Sequence, residues 1–379
     1  MDISVLLNPV KEEIFQKCDL RHKKQIGNTI AIYKNDGSFP DLDGFQVALL
    51  GVGEERNAVD NEGCKDAPDV IREALYPLFN HWDLKIVDLG NIKTGFKIED
   101  TYYALSEVFL TLLKYHIVPV ILGGSQDLTF PIYQVYENTG KLVNITAIDP
   151  RFDIGEDGES LNSESYLSHI ILHQPNYLFN YTNIGYQTYY IDNEHVELMK
   201  QLLFDVYRLG TIKKRPDLVE PLLRNADIIT IDAAAFCASE MPGLKHSTPN
   251  GFSGEEGCKM TRYAGLNPKL TSIGFFNYNP NFDINYQSAN NLAEMIWYFL
   301  EGFSMRQSDF PTNDNREDFK RYTVHLEDYD DIVFLCHKTS GKWWMDLGNH
   351  LIPCSKDDYD TAMRNELPDR WWQFYQKLM

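Results

Sequence analysis

The residues of this chain best placed to do chemistry are acids at the ends of apolar runs. The stretch Leu142 to Gly155, LVNITAIDPRFDIG, reads as a β-branched strand that ends by presenting Asp149 and Asp153 with Arg151 between them. A second apolar run, ADIITID, ends in Asp232. Acidic groups at the C-terminal end of a buried strand sit where open α/β sheets bind ligands. Two carboxylates so close together repel, and they persist in a dry site only beside a cation or with shifted pKa values. A metal ion is the usual cation. An arginine between the two acids is therefore the residue to explain.

Other candidates carry a plainer reading beside the chemical one. Cys237 lies just past Asp232 and His246 follows, which suggests a Cys/His nucleophile pair; a thiol beside a strand end is more often packing. His169 and His173 are spaced for zinc on a helix, but they lack the glutamate of a metalloprotease motif and read as ordinary helix residues. Gly123-Gly124 follows a strand without the rest of a phosphate-loop pattern. Glu255 and Glu256 open a helix, where the dipole favours acids. Asp127, beside Gln126, reads as a helix cap.

Positioning the acids requires a sheet. QVALLGV (Gln46 to Val52), LKIVDLG, VPVILGG, the Leu142 run, YTNIGYQ, ADIITID and LTSIGFFNYN read as strands. Between them lie amphipathic stretches with helical spacing. One has Pro68 in its first turn and Ile71, Leu75 and Leu78 on one face; another runs from Lys97 to His116. Asp127 to Glu137, Glu194 to Leu209, Asp217 to Asn225, Ser253 to Leu266 and Ser288 to Phe303 read as further helices. Strand–helix alternation at this spacing predicts βαβ units and a mostly parallel sheet covered on both faces. Around residues 304–319 the composition turns polar and reads as a linker. KRYTVHL, DIVFLCH and KWWMDL then read as strands, the last two joined by a turn at Lys338 to Gly341, and the chain closes with a helix broken near Pro368. This predicts an extension over 1–44, an α/β domain over 45–303, and a linker with a C-terminal strand–hairpin–helix appendage over 304–379. The Trp- and Tyr-rich tail is expected to pack on the main domain or on another subunit.

Composition narrows the function classes. With 379 residues, 43% hydrophobic and 13% aromatic, the chain can bury a large core. A net charge of -20 argues against nucleic acid or an anionic membrane as partner, since both need a positive footprint. No apolar run reaches membrane-spanning length, and the N-terminus lacks the basic start of a secretory signal. The six cysteines show no CxxC and read as reduced thiols, so a cytoplasmic location is expected.

Six blocks in order are similar to the ureohydrolase family of arginases, agmatinases and formimidoylglutamases. GCKDAPDVIR resembles the family's G-A-x-x-G-P-x-x-I-R segment, and ILGGSQDLT stands at the place of G-G-D-H-S. AIDPRFD stands at D-A-H-x-D, and TIDAAAFCASEMPG at S-x-D-x-D-x-x-D-P-x-x-x-P-G. TPNGFSGEEG and FFNYNPNFD resemble the Thr-Pro…Glu-Gly and E-x-N-P stretches. The resemblance covers about residues 45 to 303 and implies a three-layer α/β/α arginase-like fold.

The family's chemistry uses two Mn²⁺ ions bridged by hydroxide. Carried over by position, the resemblance implies that Asp149, Asp153 and Asp232 match metal-binding aspartates. Gln126 and Arg151 replace the two histidines, and Ala234 replaces an aspartate. Asn277 stands where a glutamate grips the substrate, and Cys237 and Ala238 replace an Asp-Pro. Glu256, Asp127, Cys237 and His246 fall at pocket positions. Gln offers only a neutral oxygen, Arg has no acceptor, and Ala removes a charge outright. These substitutions lead to three expectations. Arg151 takes over the metal's electrostatic role through a bidentate contact with Asp149 or Asp153. The chain carries no metal cofactor, and it serves as a binding or assembly protein for a small cationic or amide ligand. The alternative is an active hydrolase of linear amidine C–N bonds, acting on formimidoylglutamate, agmatine or arginine through a mononuclear or altered Mn²⁺ site. By the same resemblance, a homo-oligomer is expected.

Overall fold

The apolar runs become strands of one ten-stranded sheet. In the computed structural model, which describes residues 2–378 apart from positions 19, 36, 157, 308, 328, 330 and 349, the strands are β1 (Leu7–Asn8), β2 (Ala31–Ile32), β3 (Val47–Val52), β4 (Ile86–Ile92), β5 (Val118–Gly123), β6 (Val143–Ile148), β7 (Leu178–Tyr186), β8 (Asp205–Arg208), β9 (Ile228–Asp232) and β10 (Ser272–Phe276). Their spatial order is β1-β4-β3-β5-β10-β9-β6-β7-β8, with β2 also on β4. Every pairing is parallel except β1 on β4. All residues of β3, β5, β6, β9 and β10 are buried, which is why their sequences are mostly apolar and do not alternate.

Two features hold helices to this sheet. Helix Ala67–Leu75, with Pro68 in its first turn, carries Arg72 fully buried against β4. The guanidinium grips Asp88 through two bonds of 2.8 and 2.9 Å and also reaches Asn91 Oδ1 at 2.6 Å and the Gly90 carbonyl at 2.8 Å. Tyr76 Oη donates to the same Asp88 at 2.9 Å. Helices Gly254–Leu266 and Gln287–Ser304 lie against each other with almost no side chain between their last turns. A Cβ at Gly265 would fall 2.2 Å from the Phe299 carbonyl oxygen, and one at Gly302 would fall 2.2 Å from that of Arg262.

The structure departs from the predicted elements in three places, one of them the unpredicted strand His350–Cys354 of the second sheet. Glu194 to Leu209 is not one helix: helix Asn193–Gln201 stops, Leu203 takes a left-handed φ of 58°, and Asp205–Arg208 pairs on β7 as the outer edge strand. Four residues are too few to show strand periodicity. The first 44 residues also contribute to the sheet, because β1 and β2 both pair with β4.

A second sheet follows the linker. β11 (Phe319–Val324), β12 (Ile332–His337), β13 (Trp343–Leu347) and β14 (His350–Cys354) pair antiparallel in chain order, with the turn at Lys338 to Gly341 joining β12 to β13. Helices Lys356–Ala362 and Asp369–Leu378 follow it, and Val324, Phe334, Met345, Trp371 and Phe374 share one core. The unit docks on the large sheet's layer. Arg224 donates to the Trp343 and Cys354 carbonyls at 3.2 and 3.3 Å and lies 4.3 Å from the centre of the Trp344 ring. Gln373 donates to the Leu203 carbonyl at 2.9 Å. The aromatic tail therefore packs within this chain.

Candidate functional site

Four adjacent strands, β5, β10, β9 and β6, deliver their C-terminal ends to one place. The residues that follow or end them are Gln126, Asn277, Asp232 and Asp149. Asp153 joins after a turn in which it holds a left-handed φ of 52°. Carboxylate oxygens of Asp149, Asp153 and Asp232 all lie within 4.8 Å of one another, and all three residues are buried. They face a cleft of about 260 Å³ that is also lined by Asn61, Arg151, Lys245 and His246.

Each carboxylate is held differently. Asp149 Oδ1 accepts the Arg151 backbone N–H at 2.7 Å, while its Oδ2 has no partner among the described residues. Asp153 Oδ2 likewise has none. Asp232 accepts the Ala234 N–H at 2.6 Å and Asn277 Nδ2 at 2.7 Å. Burial pushes all three carboxyls above the ordinary carboxylate range. Repulsion from Asp153 and Asp232 adds to the effect at Asp149, and repulsion from Asp232 adds to it at Asp153. At Asp232 the Ala234 N–H and Asn277 oppose the rise.

Asn277 ties the strand ends together. It sits at φ 64°, donates its N–H to the Gly124 carbonyl at 2.8 Å, and accepts the Gln126 N–H on Oδ1 at 3.1 Å. Gln126 is fully buried; Nε2 reaches Tyr166 Oη at 3.5 Å and Oε1 is unpartnered among the described residues.

Arg151 corrects an expectation. Its guanidinium makes no ion pair with Asp149 or Asp153 among the described residues. It turns to the rim, donates to Glu164 Oε1 at 2.8 Å and lies 5.2 Å from the centre of the Tyr190 ring. Burying a guanidinium beside three crowded acids would forfeit its hydration, whereas the half-exposed Glu164 offers a partner without that loss. From the rim, its charge still lowers Asp153 and Asp232.

The remaining candidates scatter. His246 lines the cleft. Cys237 does not: its Sγ meets Ser239 Oγ at 3.2 Å, and no contact joins it to His246 among the described residues. Glu256 closes a capping box with Ser253 and pairs with Lys213 at 3.4 Å, outside the cleft. Asp127 is buried behind Gln126, where it accepts the Tyr102 hydroxyl. His169 and His173 hold the Glu159 carbonyl and the Glu137 carboxylate, so they share no ligand. Sequence reasoning missed Asn61, Glu164, Tyr190 and Lys245. All four lie outside the strand ends that drew attention to the acids, and only the fold brings them to the cleft.

Comparison with known proteins bears on this geometry. The profile of the arginase family matches residues 45–301. The chain belongs to the arginase family. Formimidoylglutamase of Staphylococcus haemolyticus is 23% identical over 281 residues, covering 67% of this chain and 85% of the relative. That of Vibrio cholerae is 26% identical over 280 residues, covering 66% and 82%. Among solved structures, Trypanosoma cruzi formiminoglutamase with Mn²⁺ superposes with a TM-score of 0.67 at 17% identity over 75% of this chain and 99% of that one. Bacillus subtilis formimidoylglutamase gives 0.67 at 16%, over 74% and 92%. The arginase-like fold is thus established, with the four-stranded antiparallel sheet following it.

The donor set of this arginase-family cleft can be tested against the family's manganese. For one divalent ion it fits: three clustered carboxylates, with unpartnered oxygens on Asp149 and Asp153, suit a hard cation. For a second ion it does not fit. Ala234 has no ligand atom, and Arg151 is a donor-only side chain committed to Glu164.

Proposed function

We propose that the cleft binds one cationic centre, and that this arginase-family chain acts as a binding protein, not as a two-metal hydrolase. The observation that carries this reading is the convergence of Asp149, Asp153 and Asp232 while positions 151 and 234 bring no ligand atom to the same point. Asp149, Asp153 and Asp232 would hold the cation, Asn277 would orient Asp232, and Arg151 with Glu164 would guard the rim. A second reading rests on Gln126. Its buried, unpartnered oxygen would serve as a fourth donor if turned to the three acids, which would favour a single Mn²⁺, and relatives named formimidoylglutamase point to linear amidines as substrates. In that case the metal would supply Lewis acidity, and the acids would fix its position.

Metal analysis of the purified full chain, followed by assays for ammonia, urea or formamide release from formimidoylglutamate, agmatine and arginine, separates the readings. At most one equivalent of divalent metal without turnover supports the binding role. One equivalent with turnover moves the assignment to the second reading. Two tightly bound equivalents of Mn²⁺ with turnover would sink both.

A further inference from the structure

Helices Gly254–Leu266 and Gln287–Ser304 help enclose a groove of about 630 Å³ that shares no lining residue with the acidic cleft. Glu240, from a loop, and Glu255 and Glu294, one on each helix, line it; among the described residues no lysine, arginine or histidine does. Glu240 already accepts the Gly254 N–H. Glu255 and Glu294 have no hydrogen-bond or ion-pair partner among the described residues. Asn291 also lines the groove and is only 8% exposed. Its Nδ2 donates to the Glu240 carbonyl at 3.2 Å, but Oδ1 is buried without a donor. Gly254 lets the Asn291 amide and the Glu240 carboxylate come close at the groove's base, since a Cβ there would lie 2.8 Å from that oxygen and 2.9 Å from the carboxylate. Asn285, Gln287, Asn290 and the exposed Ile284 and Tyr298 also line it.

We infer that this groove binds a linear organic cation carrying two or more ammonium groups. An anion would meet three carboxylates and an orphaned carbonyl oxygen, so the occupant must bring donors and positive charge. A metal ion does not fit. Among the described residues, only Asp149, Asp153 and Asp232 form a group of three acids, histidines or cysteines whose ligand atoms converge. Carboxylates spread over a loop and two helices call instead for charges spread along a chain. Ile284 offers the methylenes an apolar surface, and the Tyr298 ring can face an ammonium group. The same three glutamates crowd Cys258, whose thiol is pushed up to about 12 by burial and then by Glu294, Glu240 and Glu255.

Isothermal titration of the full chain with spermidine at low salt tests this. The expected result is one equivalent bound, at least tenfold weaker binding by the Glu255→Gln/Glu294→Gln double variant, and at least tenfold weaker binding of the monoamine butylamine. Both glutamates are exposed, so the variant should melt like the parent. Asp149→Asn/Asp232→Asn should leave spermidine affinity within twofold. The proposal is overturned if spermidine does not bind, if the double glutamate variant binds as well as the parent, or if the aspartate variant loses binding, which would place the ligand in the cleft. A lysine-rich peptide binding more tightly than spermidine would also overturn it, in favour of a protein partner.

Discussion

At the scale of single residues, the crowded carboxyls of the cleft lower stability at neutral pH. Carboxyls raised above their unfolded values hold more protons in the native state, so their contribution to stability is present at low pH and lost as pH rises through the folded values. At neutral pH the cation-free fold therefore bears a penalty that a cation relieves. Asp153→Asn should raise the melting temperature of chelator-treated protein by a few degrees, on the order of 1–3 kcal/mol, and abolish any stabilisation by added Mn²⁺. Differential scanning calorimetry with and without metal measures both effects. The parent's cation affinity should fall as pH is lowered, because protons compete for the same oxygens. The substituted positions permit a gain-of-function test. Gln126→His/Arg151→His/Ala234→Asp should raise the bound Mn²⁺ above the parent's, to two equivalents, in metal analysis; an unchanged stoichiometry would show that more than the missing ligands separates this chain from a two-metal site.

These residues also show what the sequence made legible. Asp149 and Asp232 were readable because each ends or follows a β-branched strand, and a parallel sheet places such ends together. The direction of Arg151 was not readable, because it depends on Glu164 and Tyr190, which only the fold brings to the rim. Asn277 could be placed by motif, but its bonds to Asp232 and Gln126 required the β5-β10-β9 order.

At the scale of elements, the central strands were legible and the edge strands were not. Continuous burial leaves an unmistakable apolar run, whereas β1, β2 and β8 span two to four residues and leave no period to detect. Helix Ala67–Leu75 could be read from Pro68 and its apolar face, yet that reading passed over its buried charge. Arg72→Leu should destabilise the fold by about 3–5 kcal/mol, because Asp88 would remain buried in β4 without its partner. Urea unfolding measures the loss. The double variant Arg72→Leu/Asp88→Asn should recover part of it, since no uncompensated charge would remain.

At the scale of the whole molecule, the appendage is tied to the large domain by buried polar groups. Lys377 donates to Asn180, and burial brings its ammonium down to about 8, opposed by Asp205 and assisted by Arg370. Arg370 itself is buried beside Asp205 and Tyr207. A lysine whose folded value lies below its unfolded one opposes docking while it is charged. The opposition is complete below about pH 8 and fades as pH rises towards the unfolded value. Helix Asp369–Leu378 should therefore gain hydrogen-exchange protection, after correction for intrinsic exchange rates, between pH 8 and 10. Lys377→Met should show high protection already at pH 7.

The bare contact between helices Gly254–Leu266 and Gln287–Ser304 has a reach beyond packing. Gly265 and Gly302 let the two backbones touch at one end, while Gly254 and Asn291 lie in the groove at the other. Any shift at the glycine contact would be carried along both helices, as by the pivot of a pair of callipers, to the gap between Glu255 and Glu294. A single methyl group added by Gly302→Ala should widen that gap. A diammonium ligand long enough to match the new span would then gain on a shorter one, although no atom in the groove had been changed.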